Sequence, residues 1–166
     1  MQKIFVFIFI LSLARPVQGQ GVGLYGFARS PQLVNFSLKE KESTFTQGLS
    51  SGIGLNYQQL NFELGAFISN KDSHGYYTFL GKKVSALEMG HSIYLNTTLF
   101  GEVTYLPAQV EQANASWIYA TGVSLYPNIQ IQKLNIGIPL GLALAYQDNE
   151  WYLNTRFILN LAFSLN

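Results

Sequence analysis

From Trp151 to the end, the chain alternates. Trp151, Leu153, Phe157, Leu159, Leu161, Phe163 and Leu165 share one parity, and Tyr152, Asn154, Arg156, Asn160, Ala162 and Ser164 share the other. Successive side chains of a strand point to opposite faces, so a period of two separates these sets across a sheet. One face is continuous hydrocarbon; the other is small or polar and carries a single charge. A soluble strand would carry more charge on its wet face. Charged residues make up only 11% of this chain, against about 25% in soluble domains. This combination suits the wall of a transmembrane barrel, whose apolar face meets lipid.

The same alternation recurs upstream and predicts eight strands, at about 22–30, 47–57, 60–69, 84–95, 98–106, 116–131, 134–146 and 151–165. In the third, Leu60, Phe62, Leu64, Ala66 and Ile68 share a face. Strands of about 10 residues are what a tilted crossing of the hydrocarbon requires. Three connections are tight, at Gln58-Gln59, Asn96-Thr97 and Gln132-Lys133. Four are longer or more polar, at 31–46, 70–83, 107–115 and 147–150. Short periplasmic turns alternating with longer external loops give the same rhythm. The expected fold is all-β, an eight-stranded antiparallel up-and-down transmembrane β-barrel.

The N-terminus reads as an export signal. Lys3 supplies its positive charge, residues 4–13 its apolar run, and Val17-Gln18-Gly19 a small-residue cleavage site. The apolar run is shorter than the roughly 20 residues of a spanning helix. The expected organisation is therefore a signal at 1–19 and one barrel domain at 20–166, in a bacterial cell outer membrane. The absence of cysteine excludes a lipid-anchored cysteine and a disulfide framework. A net charge of +1 with no basic cluster argues against nucleic acid.

Most charges fall in the expected loops. The exceptions are Arg29, Glu63, Glu88, Glu102 and Arg156. The last four lie opposite the apolar face, while the parity of Arg29 is open. A lysine or arginine facing lipid at mid-bilayer costs about 2–4 kcal/mol, so Glu63, Glu88, Glu102 and Arg156 are expected to form a lumenal polar network. An eight-stranded barrel is just wide enough for side chains to fill. A plug is preferred to an ion path, because unpaired buried charge is costly. Gly137, Pro139, Gly141, Ala143 and Ala145 make one lumen face small, leaving a pocket or room for large side chains such as Tyr94 or Phe100. Pro139 lacks a ladder donor and predicts a bulge or gap. His91 has lipid-facing parity, which a bulge at Gly90 would re-aim. Tyr105, Trp117, Tyr146 and Trp151 at one rim, and Tyr57, Tyr94 and Phe163 at the other, resemble interfacial girdles.

With signal, strand count, loop alternation and amphipathic last strand together, residues 21–166 resemble the eight-stranded bacterial outer-membrane barrels of the OmpA transmembrane-domain and OmpX type. That group usually ends on an aromatic residue; here the end is Phe163-Ser164-Leu165-Asn166, so the assembly signal is displaced. The resemblance implies a monomer surrounded by outer-membrane lipid and lipopolysaccharide and inserted by the barrel-assembly machinery. It implies no cofactor or metal, and a structural or surface-interaction role expressed through external loops. A partial second resemblance is to PagP, the lipid A palmitoyltransferase barrel, at Lys71-Asp72-Ser73. It makes Asp72, Ser73 and His74 the alternative catalytic set. In that family a histidine from the first loop region completes the site, and residues 21–69 here contain none. A third reading is a soluble lipocalin-like barrel with the apolar face inward. Its surface would then be Gly, Ser, Asn and Ala with almost no charge, unlike soluble surfaces.

Overall fold

A computed structural model describes residues 22–70, 73–108 and 115–165. The expected signal at 1–19 and part of the loop expected at 107–115 lie outside these residues. The described residues form β1 (Gly23–Ser37), β2 (Ser43–Tyr57), β3 (Leu60–Ser69), β4 (His74–Gly90), β5 (Ile93–Leu106), β6 (Ser116–Ile131), β7 (Leu134–Gly137), β8 (Leu140–Gln147) and β9 (Glu150–Ser164). All pairings are antiparallel. β7 and β8 are two halves of one wall, since both pair with β6 on one side and β9 on the other. β9 pairs back onto β1, from Tyr25↔Ser164 to Ser37↔Tyr152. The ring therefore closes with eight walls, as the alternation predicts.

The stagger of that ring follows from the register. A line crossing the ladder from Tyr25 through Glu63, Glu102 and Tyr152 returns to β1 at Ser37, twelve residues further on. With about 3.3 Å rise per residue and about 4.7 Å between strands, this stagger tilts the strands by roughly 46° and gives a backbone radius of about 9 Å. At that tilt a fifteen-residue strand such as β1 rises roughly 34 Å along the axis, enough to cross a hydrocarbon core of about 30 Å.

The apolar parity faces outward. Leu49 is 69% exposed and Ile68 66%, and Ile53, Leu142, Leu159 and Leu161 are exposed beside them. A lipocalin-like barrel would turn this face inward. Near the loop-bearing end, Tyr105 packs on Trp117 at 4.8 Å and Tyr146 on Trp151 at 5.0 Å between ring centroids. Each is a cross-strand pair, which fixes the belt to the ladder. Inside, Phe100 stacks on Phe79 at 5.5 Å and packs with Ala120, Ala143 and Ala145. The small seventh-wall residues thus make room for Phe100, while Gly137 lies under Tyr126.

The wall is interrupted at Ile138 and Pro139, where the missing donor of Pro139 was expected to open a gap. Register holds across it. The Ile138 N–H donates to the Pro127 carbonyl and the Ile158 N–H to the Pro139 carbonyl, both at 3.0 Å.

Three connections differ from expectation. β1 continues through Pro31, reducing the loop expected at 31–46 to the short turn before Ser43. Pro31 is tolerated because its register partner Ile158 directs its N–H to Pro139 instead. β4 occupies most of the loop expected at 70–83 and carries Lys82 and Lys83. The following turn falls at His91-Ser92 rather than Asn96-Thr97, which are held in the ladder opposite Ala86 and Ser85. Register shifts between Lys83 and Ser85 and between Glu88 and Gly90 change the phase of the alternation, so a parity read across them fails. His91 is accordingly an exposed turn residue, next to Gly90 at φ +153°.

Spin labels replacing Leu153 and Phe157 in a reconstituted bilayer should collide with oxygen as lipid-exposed probes do. A label at inward-facing Thr46 should respond to a water-soluble reagent. Equal water accessibility at all three positions would contradict this orientation.

Candidate functional site in the barrel lumen

Inward-facing positions of β1, β3 and β9 bring together the most buried charge in the described residues. Glu63 is 1% exposed. Arg29 forks onto it, Nη1 to Oε2 at 2.5 Å and Nη2 to Oε1 at 2.6 Å. Asn61 Nδ2 donates to Oε1 at 3.1 Å, and the Tyr25 hydroxyl lies 2.7 Å from Oε1 with Asn61 Oδ1 also in contact. Both carboxylate oxygens are therefore satisfied, which a buried charge requires. Arg29 Nε donates to Asn160 Oδ1 at 2.6 Å, and its guanidinium lies 4.2 Å from the Phe27 ring centroid. Asn160 continues the chain through Tyr126 to Asn135 and Asn128.

This arrangement depends on glycines facing aromatics. A Cβ on Gly54 would lie 2.1 Å from Tyr25 Cζ, and one on Gly65 would lie 2.6 Å from Tyr77 Cζ. Large rings project inward from one strand and lie flat over a neighbouring strand that has no side chain there. The Tyr25 hydroxyl reaches Glu63 because Gly54 leaves that space.

A second pair stands nearer the loop-bearing end. Arg156 Nη1 donates to Glu102 Oε2 at 2.8 Å and Nε to Asn154 Oδ1 at 2.7 Å, and the guanidinium sits 4.9 Å from the Phe100 centroid. Glu102 Oε1 accepts from Thr104 at 3.3 Å, and Asn154 bonds to Asn35. These side chains are 10% and 19% exposed, so the pair is wetter than the first. At the rim, Lys39 donates to Glu150 at 2.7 Å, and that carboxylate raises the pKa of the ammonium.

Two cavities stand out among the described residues of the lumen. A larger one of about 470 Å³ lies toward the loops, and a smaller one of about 90 Å³ lies below it. Arg29, Arg156 and Ile158 line both.

Of the four residues expected in one network, the structure pairs Glu102 with Arg156 and Glu63 with Arg29. Glu88 is exposed on the lower part of β4, where only β5 flanks the strand. Arg29 is the residue that parity left open. The outward face of β1 is small at Gly26, Ala28 and Ser30, while Tyr25 and Phe27 point inward, so size and hydrophobicity ran opposite to facing. The usable signal was the glycine series Gly48, Gly52 and Gly54 on the next strand, which offers room for large inward residues. In the alternative catalytic set, Ser73 lines the larger cavity with Oγ 2.5 Å from Ser69 Oγ. His74 is exposed and opposes outward-facing Ile68, so the two point to opposite sides of the wall. Asp72 lies outside the described residues. No group of three or more potential metal ligands occurs among the described residues.

No protein-family model matches the chain, and no curated protein matches it by sequence. Among solved structures, Neisserial surface protein A is similar, with a TM-score of 0.60 and 12% identity over 87% of this chain and 99% of that one. Ail, the attachment invasion locus protein of Yersinia pestis, aligns with a TM-score of 0.40 and 7% identity over 86% of this chain and 99% of that one. The first likeness shows the fold, a small eight-stranded barrel.

Removing Arg29 leaves Glu63 buried and uncompensated. Arg29→Met should destabilise the folded barrel by about 3–5 kcal/mol, read as a lower urea midpoint in lipid vesicles. Adding Glu63→Gln should restore much of the loss. Arg156→Met should cost less, because water reaches its partner.

Proposed function

We propose that the protein is an integral outer-membrane barrel of a Gram-negative bacterium, closed across its lumen by the Arg29–Glu63 and Arg156–Glu102 pairs. It acts through its loop-bearing end, in a structural or surface-interacting role. The observation that carries this reading is the sidedness of the ring: hydrocarbon outside, and ion pairs and amide side chains inside. In lipid every backbone polar group needs an internal partner, and only helices and closed barrels provide that. Outer-membrane lipid and lipopolysaccharide surround the belt in this reading, the barrel-assembly machinery inserts the chain, and the barrel works as a monomer. Side-chain geometry supports closure of the lumen. Each guanidinium bonds a carboxylate on a non-adjacent strand, and each also holds an asparagine.

Expression in a Gram-negative host should place the protein in the outer-membrane fraction, with gel migration that changes on boiling. Recovery in the soluble periplasmic fraction would overturn the reading. In planar bilayers the wild type should show no conductance steps, and a variant with both pairs removed (Arg29→Ala, Glu63→Ala, Glu102→Ala and Arg156→Ala) should show them. Host lipid A should keep its acyl count by mass spectrometry. A change of one acyl chain that disappears in Ser73→Ala would favour lipid A chemistry instead.

A further inference from the structure

Above the Arg156–Glu102 pair, the cavity of about 470 Å³ extends to Glu40 and Glu42 at the loop-bearing end. Its volume lies within the roughly 300–1,000 Å³ typical of small-molecule sites. Two properties of its wall are unexpected in a mouth filled only with water. Leu33, Phe67, Leu106, Ile118 and Ile158 come from five different strands, line the cavity and remain half-buried. Their surface favours contact with hydrocarbon.

The second property is a buried hydroxyl without a partner. Tyr77 Oη is buried and has no hydrogen-bond partner among the described residues. Its ring is fixed over Gly65, and Ser50 beside it completes no bond of normal geometry. The Arg156 guanidinium, which donates through Nε to Asn154 and through Nη1 to Glu102, lines the same cavity. A buried donor without an acceptor is costly, and an oxygen from a ligand would relieve it. The charge balance restricts what carries that oxygen. Arg29 and Arg156 are already matched by Glu63 and Glu102, so Glu40 and Glu42 leave the cavity wall with surplus negative charge. Those carboxylates disfavour an anionic head, and an ammonium head offers Tyr77 Oη no acceptor.

We propose that this cavity binds a small uncharged amphiphile, a hydrocarbon chain ending in an amide- or ester-type carbonyl. The carbonyl accepts from Tyr77 Oη, and the chain lies against Leu33, Leu106 and Ile118. The proposal rests on the barrel reading, with the lumen closed below the cavity.

The test uses the full barrel in nanodiscs of zwitterionic lipid and a decanamide carrying a diazirine in its chain. Mass spectrometry then locates the photolabel. Labelling should fall on inward Leu33, Ile118 and Ile158. Decanamide should displace the probe at least about tenfold better than decanoate or decyltrimethylammonium. Tyr77→Phe keeps the ring and removes one donor, and should weaken binding about tenfold, the equivalent of one well-made hydrogen bond. Ile118→Gln, on another strand, should weaken it independently of Tyr77. Labelling confined to outward Leu159 and Leu161 overturns the site. Equal displacement by a charged chain, or unchanged affinity in Tyr77→Phe, overturns the head-group assignment. Each sample is first checked for heat-modifiable migration. Its loss in the wild type would refute the underlying barrel reading, whereas an intact barrel without inward labelling refutes this proposal alone.

Discussion

Closure of β9 onto β1 is the constraint on which the rest of the structure depends. A strand in hydrocarbon has no water to satisfy an open edge, so an eight-walled sheet with two free edges would be unstable there. The seam runs from Tyr25↔Ser164 to Ser37↔Tyr152, nearly the full length of both strands. It sets the twelve-residue stagger, and the stagger sets how much space the lumen must fill. Pro31 lies within this seam without breaking it, because the Ile158 N–H donates to the Pro139 carbonyl on its other side.

Filling that space takes aromatic rings and charges together. Tyr25 and Tyr77 lie over glycines of adjacent strands, and the fully buried Phe100 stacks on Phe79. The charges are held among these rings, with Arg29 over Phe27 and Arg156 over Phe100. A guanidinium is weakly hydrated and planar, so it can stack on a ring and fork onto a carboxylate at once. Lysine at position 29 would do neither as well. The polar atoms of the lower lumen form one continuous set of bonds from Glu63 to Asn128, which fits the low tolerance of a confined space for unpaired groups.

Much of this was legible from alternation alone. The strand at 116–131 and the tight turns at Gln58-Gln59 and Gln132-Lys133 needed only a period of two and turn residues. Pro139 announced its gap through the donor it lacks. The parts that were not legible share a cause, which is local departure from the period. Bulges around Val84 and Met89 changed the phase of β4, displacing the predicted turn and turning Glu88 and His91 into exposed residues outside the lumen. On β1, Pro31 resembled a loop start because the compensating arrangement at Ile158 lies more than a hundred residues away. The inward facing of Arg29 was hidden for a similar reason: its face is set by the glycines of β2, not by its own neighbours. Glu63, Glu102 and Arg156 could be placed in the lumen from parity, but their pairing depends on register across the ring, which no single strand encodes.

Hydrogen exchange in lipid vesicles tests ring closure most directly. Amides of β1 and β9 along the shared seam should exchange as slowly as those of β3 and β5 in the middle of the chain, apart from the rungs next to Pro31 and Pro139. Fast exchange along the whole β1–β9 seam, with the other walls protected, would mean an open sheet and would contradict the account of both wall and lumen.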